Sequence, residues 1–187
     1  MSKKRNILVG SRIKLLALEK EHLLDRVNFI NDEVVQSTLN FDYPTSLAKT
    51  EAWFNKILLN RDRVDFTIKC VATDKNIGFG GFVGFDRVVK KAELYIFIGD
   101  REYWGGGYGR DSYKLITNYG FLELGLNKVY GYQLLHNDKA SMAVDKLGWS
   151  VDGVLRDDLF SHGVLKSRSV VSILKREWEK LSIYDEV

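Results

Sequence analysis

The stretch of this chain best suited to chemistry is Trp104-Gly105-Gly106-Gly107-Tyr108-Gly109-Arg110, where four glycines separate an apolar run from a segment of helical periodicity. Glycine lets several backbone N–H groups turn toward one point with no Cβ in the way. A helix start adds unpaired donors and partial positive charge. Such a loop can cradle a pyrophosphate, although a plain strand–helix turn would use the same residues. It is not a Walker A loop, because no Lys-Ser or Lys-Thr follows at the required spacing. An earlier glycine cluster, Gly78, Gly80, Gly81 and Gly84, is not a dinucleotide fingerprint. Val83 stands where the third glycine would be, and no helical pattern follows. That cluster reads as a strand with a bulge or close backbone approaches.

Few side chains elsewhere invite catalysis. Cys70 is the only cysteine and sits in an apolar run. It reads as a small buried hydrophobe that cannot form an internal disulfide. His136 precedes Asn137, and a histidine is the side chain suited to shuttling a proton near neutrality, so it is read as either a proton shuttle or a structural or exposed residue at a strand end. His22 and His162 have no partner visible in the sequence. Three scattered histidines and one cysteine make no metal site.

The elements that must position these groups follow from periodicity. Strands are expected near residues 12–18, 64–71, 77–85, 92–99, 128–135, 149–160 and 164–174, with a turn at Ser161-His162-Gly163. Helical spacing marks 19–31, a second helix capped by Thr45 or Ser46, residues 110–124 ending at Gly125, and 138–147. That order predicts an α/β (α+β) architecture. A mixed sheet of six to seven strands is flanked by about four helices, in a single domain over 1–187 with 1–10 as a leading segment. Basic and acidic residues number 28 and 25, for a net charge of +3, too weak a field to favour nucleic acid. No apolar stretch nears the ~20 residues of a membrane span. The basic N-terminus lacks the apolar core of a signal peptide. With the lone thiol, this places the expected location in the cytoplasm.

Residues 104–109 resemble the signature Q/R-x-x-G-x-G/A of the GNAT superfamily of N-acyltransferases. Residues 137–149, Asn137-Asp138-Lys139-Ala140-Ser141 through Lys146-Leu147-Gly148-Trp149, are similar to that family's N-x-x-S/A…K-L-G-F segment. The resemblance runs from Arg12 through Trp178. It implies the GNAT fold and acyl-CoA, chiefly acetyl-CoA, as co-substrate, with no permanently bound cofactor. Trp104, Gly105, Gly106, Gly107, Tyr108, Gly109 and Arg110 would hold the CoA pyrophosphate, and Asn137 the pantetheine arm. The fourth strand would carry a bulge and splay from the fifth, with Phe97 and Ile98 supplying amides. Glu93, at the start of that strand, becomes the first choice for general base, against a solvated strand-end charge. The family's tyrosine acid, seven residues after the Asn, is replaced here by Val144, which leaves Ser141, solvent or no acid at all. Tyr43, Trp53, Phe79, Phe82, Phe85 and Tyr95 are expected to be mostly core, with some lining an acceptor pocket. The acceptor expected is a small primary amine, for instance a nucleotide-linked amino sugar. The alternatives are a protein N-terminus, as in ribosomal-protein acetylation, and a CoA-binding sensor without catalysis. Homodimers are frequent in such a family, so self-association is a further expectation.

Overall fold

A computed structural model of the chain describes residues 8–39, 41, 43–135, 137–161 and 163–184, with 138–141 described by their backbone. Seven strands form one sheet in the order β1-β2-β3-β4-β5-β7-β6. They are β1 Ile13–Ala17, β2 Arg63–Cys70, β3 Asn76–Asp86, β4 Lys91–Ile98, β5 Lys128–Leu134, β6 Ser150–Ser161 and β7 Val164–Leu174. Every neighbouring pair is antiparallel except β4 and β5, which run parallel. A parallel pair needs a crossover, and this one is made by α4, Tyr108–Leu122. The remaining helices are α1 Leu23–Asn31, α2 Glu33–Gln36, α3 Leu47–Ile57, α5 Asp138–Asp145 and α6 Lys175–Trp178. The two four-residue helices, α2 and α6, are additions to the four expected from periodicity. They are too short to show a helical apolar repeat.

Strand alternation sorts the side chains onto two faces. On one face, Leu94 and Ala92 of β4 join Ile13, Ile68, Val129 and Ile173 beneath Leu115, Ile116 and Phe121 of α4. On the other, Phe97 packs with Phe79 of β3 under Leu23, Ile30 and Phe54 of α1 and α3. Each buried side chain of this size contributes ~1.5–3 kcal/mol by leaving water, so both faces hold their helices firmly. The C-terminal segment is pinned to the first face through α4. Asn118 accepts from Trp178 Nε1 (2.7 Å) and donates to the Tyr184 carbonyl (3.1 Å).

Ser46 caps α3 through its hydroxyl, as its type and place suggest. The start of α4 differs from expectation by two residues. The helix begins at Tyr108, with Gly107 as its N-cap at φ +84, so the last glycine of the loop already lies in the first turn. Cys70 is buried at the end of β2. His22 is buried too, its Nδ1 accepting from the Glu19 amide and lying 2.9 Å from Thr67 Oγ1, which gives it a structural place. No helix of the described residues is long and apolar enough to cross a membrane. Among them no group of three or more His, Cys, Asp or Glu is placed to hold a metal.

Candidate active site

The glycine loop folds as a bracket between β4 and α4. Asp100 closes a single 3₁₀ turn at Arg101–Tyr103 by accepting from the Glu102 amide. Trp104 then reaches back, its indole Nε1 donating to the Ile98 carbonyl at 2.8 Å. Gly105 and Gly107 both take the left-handed conformation (φ +81 and +84), which a side chain makes costly. The first intrahelical bond of α4 runs from the Asp111 amide to the Gly107 carbonyl. The amides of Tyr108, Gly109 and Arg110 therefore precede the ladder, as the opening N–H groups of any helix do.

Arg12, at the start of the first strand, braces this bracket from outside. Its Nη1 donates to the Gly106 carbonyl at 2.6 Å, while Nε and Nη2 fork onto Asp111 at 2.6 and 2.9 Å. A Cβ on Gly107 would stand 2.9 Å from that guanidinium. A cavity of about 540 Å³ opens over the loop and is lined by all ten residues expected to bind the co-substrate: Phe97, Ile98, the run 104–110 and Asn137. Arg12, Ile96, Tyr113 and Lys146 also line it and were not singled out from the sequence. Burial lifts the Tyr113 phenol to about 12, against an opposing hydrogen bond with Gln133. Arg110 and Lys146 add positive charge to the lining, while Arg12 is already paired with Asp111.

The same cavity runs into a gap in the sheet. β4 and β5 pair only through Lys91, Ala92 and Glu93 opposite Lys128, Val129 and Tyr130. Beyond that point both strands continue but diverge. The ladder with β3 fixes the direction of each backbone group. The Gly99 amide donates to Ile77, and a Cβ on Gly78 would collide with the Phe97 carbonyl, so odd-numbered residues of β4 face β3. Even-numbered ones face the other way: Leu94 O lies 3.0 Å from a Cβ built on Gly131 of β5, and Ile98 O meets Trp104. Ile96 and Ile98 thus turn their amides to the gap. Phe97, expected to do so, turns its backbone to β3 and lends its ring to the core. The expected bulge is also elsewhere. Residues 93–98 pair one for one with 78–83, and the extra residue lies on β3 between Val83 and Asp86.

A second cavity, about 440 Å³, lies on the opposite face between α1, α3 and β4. Glu93 and Tyr95, neighbours on one face of β4, line it together with Trp53, Arg26, Arg63 and Lys49. Glu93 is half-buried, and among the described residues nothing donates a hydrogen bond to its carboxylate. Burial raises its pKa above the ordinary carboxylate value, against the opposing charge of Arg168. Tyr95 donates to Asp65, which also holds Arg63 in a two-pronged pair at 2.6 and 2.6 Å. Burial and the adjoining Asp65 keep the Tyr95 phenol protonated. Of the aromatic set, Trp53 and Tyr95 line this cavity. Phe79 and Phe82 are core, and Tyr43 is exposed. Val144 is buried in the core of the α4 face. His136, His162 and the side chain of Ser141 lie outside the described residues.

Comparison with known proteins agrees with this geometry. The family model of an acetyltransferase (GNAT) domain matches residues 12–150. The chain is 26% identical over 174 residues to the uncharacterized N-acetyltransferase p20 of Bacillus licheniformis, covering 91% of this chain and 97% of that protein. It is 28% identical over 171 residues to the spermidine N(1)-acetyltransferase of Escherichia coli K12, covering 89% and 88%. A match of 33% over 94 residues to the putative ribosomal N-acetyltransferase YdaF of Bacillus subtilis spans 50% of this chain and 51% of the other. Among solved structures, the spermidine N-acetyltransferase from Vibrio cholerae in complex with CoA and spermine superposes with a TM-score of 0.85 at 23% identity. That pairing covers 91% of this chain and all of the other, and it shows the shared fold.

Proposed function

The chain belongs to the GNAT acetyltransferase family, enzymes that move an acyl group from acyl-CoA to nitrogen, and from that premise we propose how its two cavities divide the work. Acyl-CoA occupies the cavity over the glycine loop. Its pyrophosphate meets the amides at the start of α4, where donors and helix dipole converge. Its pantetheine arm follows the gap between β4 and β5, beside Asn137, taking up backbone groups that would otherwise lack a strand partner. The Ile96 and Ile98 amides face this path, and one of them polarises the thioester carbonyl. A single donor of that kind contributes ~10²–10³ in rate.

The acceptor is a primary amine of a small molecule, bound in the cavity across β4. A lysine-like ammonium, pKa near ~10.4, must first lose a proton. Glu93 takes it, directly or through water, and its raised pKa makes it a better base than an ordinary surface carboxylate. The amine nitrogen then forms its bond to the acyl carbon and the C–S bond breaks. The second N–H proton leaves with the CoA thiolate, whose thiol pKa near ~8.5 makes it a fair leaving group. With Val144 in the core, no tyrosine acid at that position takes part. Ser141 and His136 stay open as candidate acids.

One observation carries this reading. The free-amide helix start and the strand gap open into one continuous cavity, and β4 walls both it and the Glu93 cleft. A small-molecule acceptor is preferred to a protein N-terminus because the spermidine enzyme matches nearly the whole chain and the ribosomal one half of it. None of the relatives named above lends support to the amino-sugar expectation. The test is titration with acetyl-CoA followed by thiol release over a panel of amines. Binding with acceptor-dependent release is the expected result. Absence of CoA binding would remove the assignment.

A further inference from the structure

Among the described residues, no carboxylate hydrogen-bonds the buried cation of the acceptor cavity. Arg26, on the buried side of α1, is only 5% exposed. Its guanidinium lies over the rings of Trp53 (4.3 Å), Phe41 (5.1 Å), Phe97 (5.5 Å) and Phe79 (5.6 Å). Rings attract the charge, but they do not accept in-plane hydrogen bonds as a carboxylate does. Arg26 Nη1 has no hydrogen-bond partner among the described residues. The nearby carboxylate, Asp65, attracts Arg26 only from a distance, because its oxygens are bonded to Arg63 and Tyr95. Burying a guanidinium without a directly bonded anion is unfavourable, and Arg26 lines the cavity, so an anion bound there would relieve that cost.

The charges around the cavity point the same way. Its described lining carries Arg26, Lys49 and Arg63 against the single acid Glu93. Since Arg63 is neutralised by Asp65, Arg26 is the buried charge left over. One planar fork with one unspent charge matches a carboxylate, which accepts two parallel N–H bonds. A polyamine would bring two or more positive charges up to that buried guanidinium.

We infer that the acceptor is a small amine that also bears a carboxylate, an amino acid or close derivative, with Arg26 as the seat of that carboxylate. This rests on the acyl-transfer reading of the same cleft. In it the amino group lies toward Glu93 and the carboxylate toward Arg26, so both ends of the acceptor are fixed before attack. A phosphate or phosphonate offers a similar oxyanion, but its second charge has no second buried cation to meet it.

The experiment compares thiol release from acetyl-CoA with free amino acids, their carboxamides, aminoalkylphosphonates and spermidine, for the wild type, Arg26→Gln and Arg26→Lys. With wild type, the free acids are expected to exceed their amides in kcat/KM by about tenfold or more, the size of one charge-assisted contact. Arg26→Gln is expected to raise KM for the acids by about 10–100-fold. Any loss for the amides is expected to be at least about tenfold smaller than for the acids, the Kd for CoA to stay unchanged, and Arg26→Lys to recover part of the loss for the acids. Equal rates for acids and amides, a preference for spermidine, or no release with any acid while CoA still binds would each overturn the inference. A preference for the phosphonates would overturn the carboxylate assignment in favour of phosphate. Should Arg26→Gln fail to fold, the acid–amide comparison in wild type decides alone. Failure to bind CoA would instead strike at the acyltransferase reading beneath it.

Discussion

Gly109→Val separates the binding role of the glycine loop from its folding role. A Cβ at Gly109 would meet only Ile98 Cγ1, at an ordinary 3.8 Å, and the residue lies in the first turn of α4 without a left-handed φ. Helix propensity changes little, since Val and Gly both rank below Ala by roughly 0.6–1 kcal/mol. The melting temperature is therefore expected to move by no more than ~2 °C in a chain of this size. What the isopropyl group does obstruct is the approach of an anion to the amides of residues 108–110. Losing one or two charge-assisted hydrogen bonds, at ~1.5–3 kcal/mol each, weakens CoA binding by roughly 10-fold to more than 10³-fold. Gly109→Ala gives an internal scale. The signature itself admits alanine at this place, so its effect is expected to stay within about threefold, ~0.6 kcal/mol. Calorimetry with CoA reads the affinity and a thermal melt reads the fold. Unaltered affinity in the valine variant would refute the pyrophosphate assignment. A large loss of stability would show that the glycine is there for packing. Gly107→Ala could not make this distinction, because its positive φ and the guanidinium of Arg12 both oppose a side chain.

Three further predictions test other parts of the site. Glu93→Gln is expected to lower turnover by ~10²–10⁴, the usual worth of a general base, and to flatten the acid limb of the pH–rate profile; an unchanged profile would remove Glu93 from the chemistry. The sign for stability runs opposite. Burial raises the folded-state pKa, so the native state binds the proton more tightly than the unfolded chain and is penalised at pH above that pKa. At pH 8 the Gln variant is thus expected to melt no lower than wild type. Arg12→Leu removes a half-exposed pair whose stability contribution is ~0–1 kcal/mol, yet it frees the Gly106 carbonyl that shapes the loop. Its expected signature, read by the same calorimetry, is a loss of CoA affinity of about 3–10-fold, ~0.6–1.4 kcal/mol, that exceeds the loss of stability. Asn118→Ala strands the buried Trp178 indole and the Tyr184 carbonyl, at ~1–3 kcal/mol each. A lower urea midpoint with unchanged KM for acetyl-CoA is the expected result.

The strands were legible because alternation and β-branched runs are local properties, and boundaries moved by only a residue or two. The glycine loop was legible for a similar reason: its glycines are clustered, and the helix they open follows at once. Arg12 was not. It acts 94 residues away, on the Gly106 carbonyl, and nothing near it in sequence marks a brace. Arg26 was hidden by its surroundings, since a charged residue on an amphipathic helix normally faces water, whereas here four rings from four other parts of the chain enclose it. Short helices such as α2 and α6 carry too few residues for a repeat. Phe97 was assigned the wrong backbone direction because parity along β4 is set by its register with β3, which the sequence does not display.

That parity also explains how one strand can serve two substrates. Along β4 the side chains of Glu93, Tyr95 and Phe97 point to the face of α1 and α3, where they wall or support the acceptor cavity. The polar backbone groups of Ile96 and Ile98 point across the sheet into the gap, while their side chains pack toward α4. On the proposed reading, donor recognition on this strand is therefore a property of backbone direction and of the divergence of β5, and it is expected to tolerate any apolar residue that fills the α4 face. Acceptor recognition is a property of side chains on the other face and of α1 and α3, which can change without disturbing the gap. A fold arranged this way keeps its acyl donor while its acceptor drifts. That is consistent with a chain that aligns over most of its length with a spermidine enzyme yet places the buried Arg26 in its own cleft.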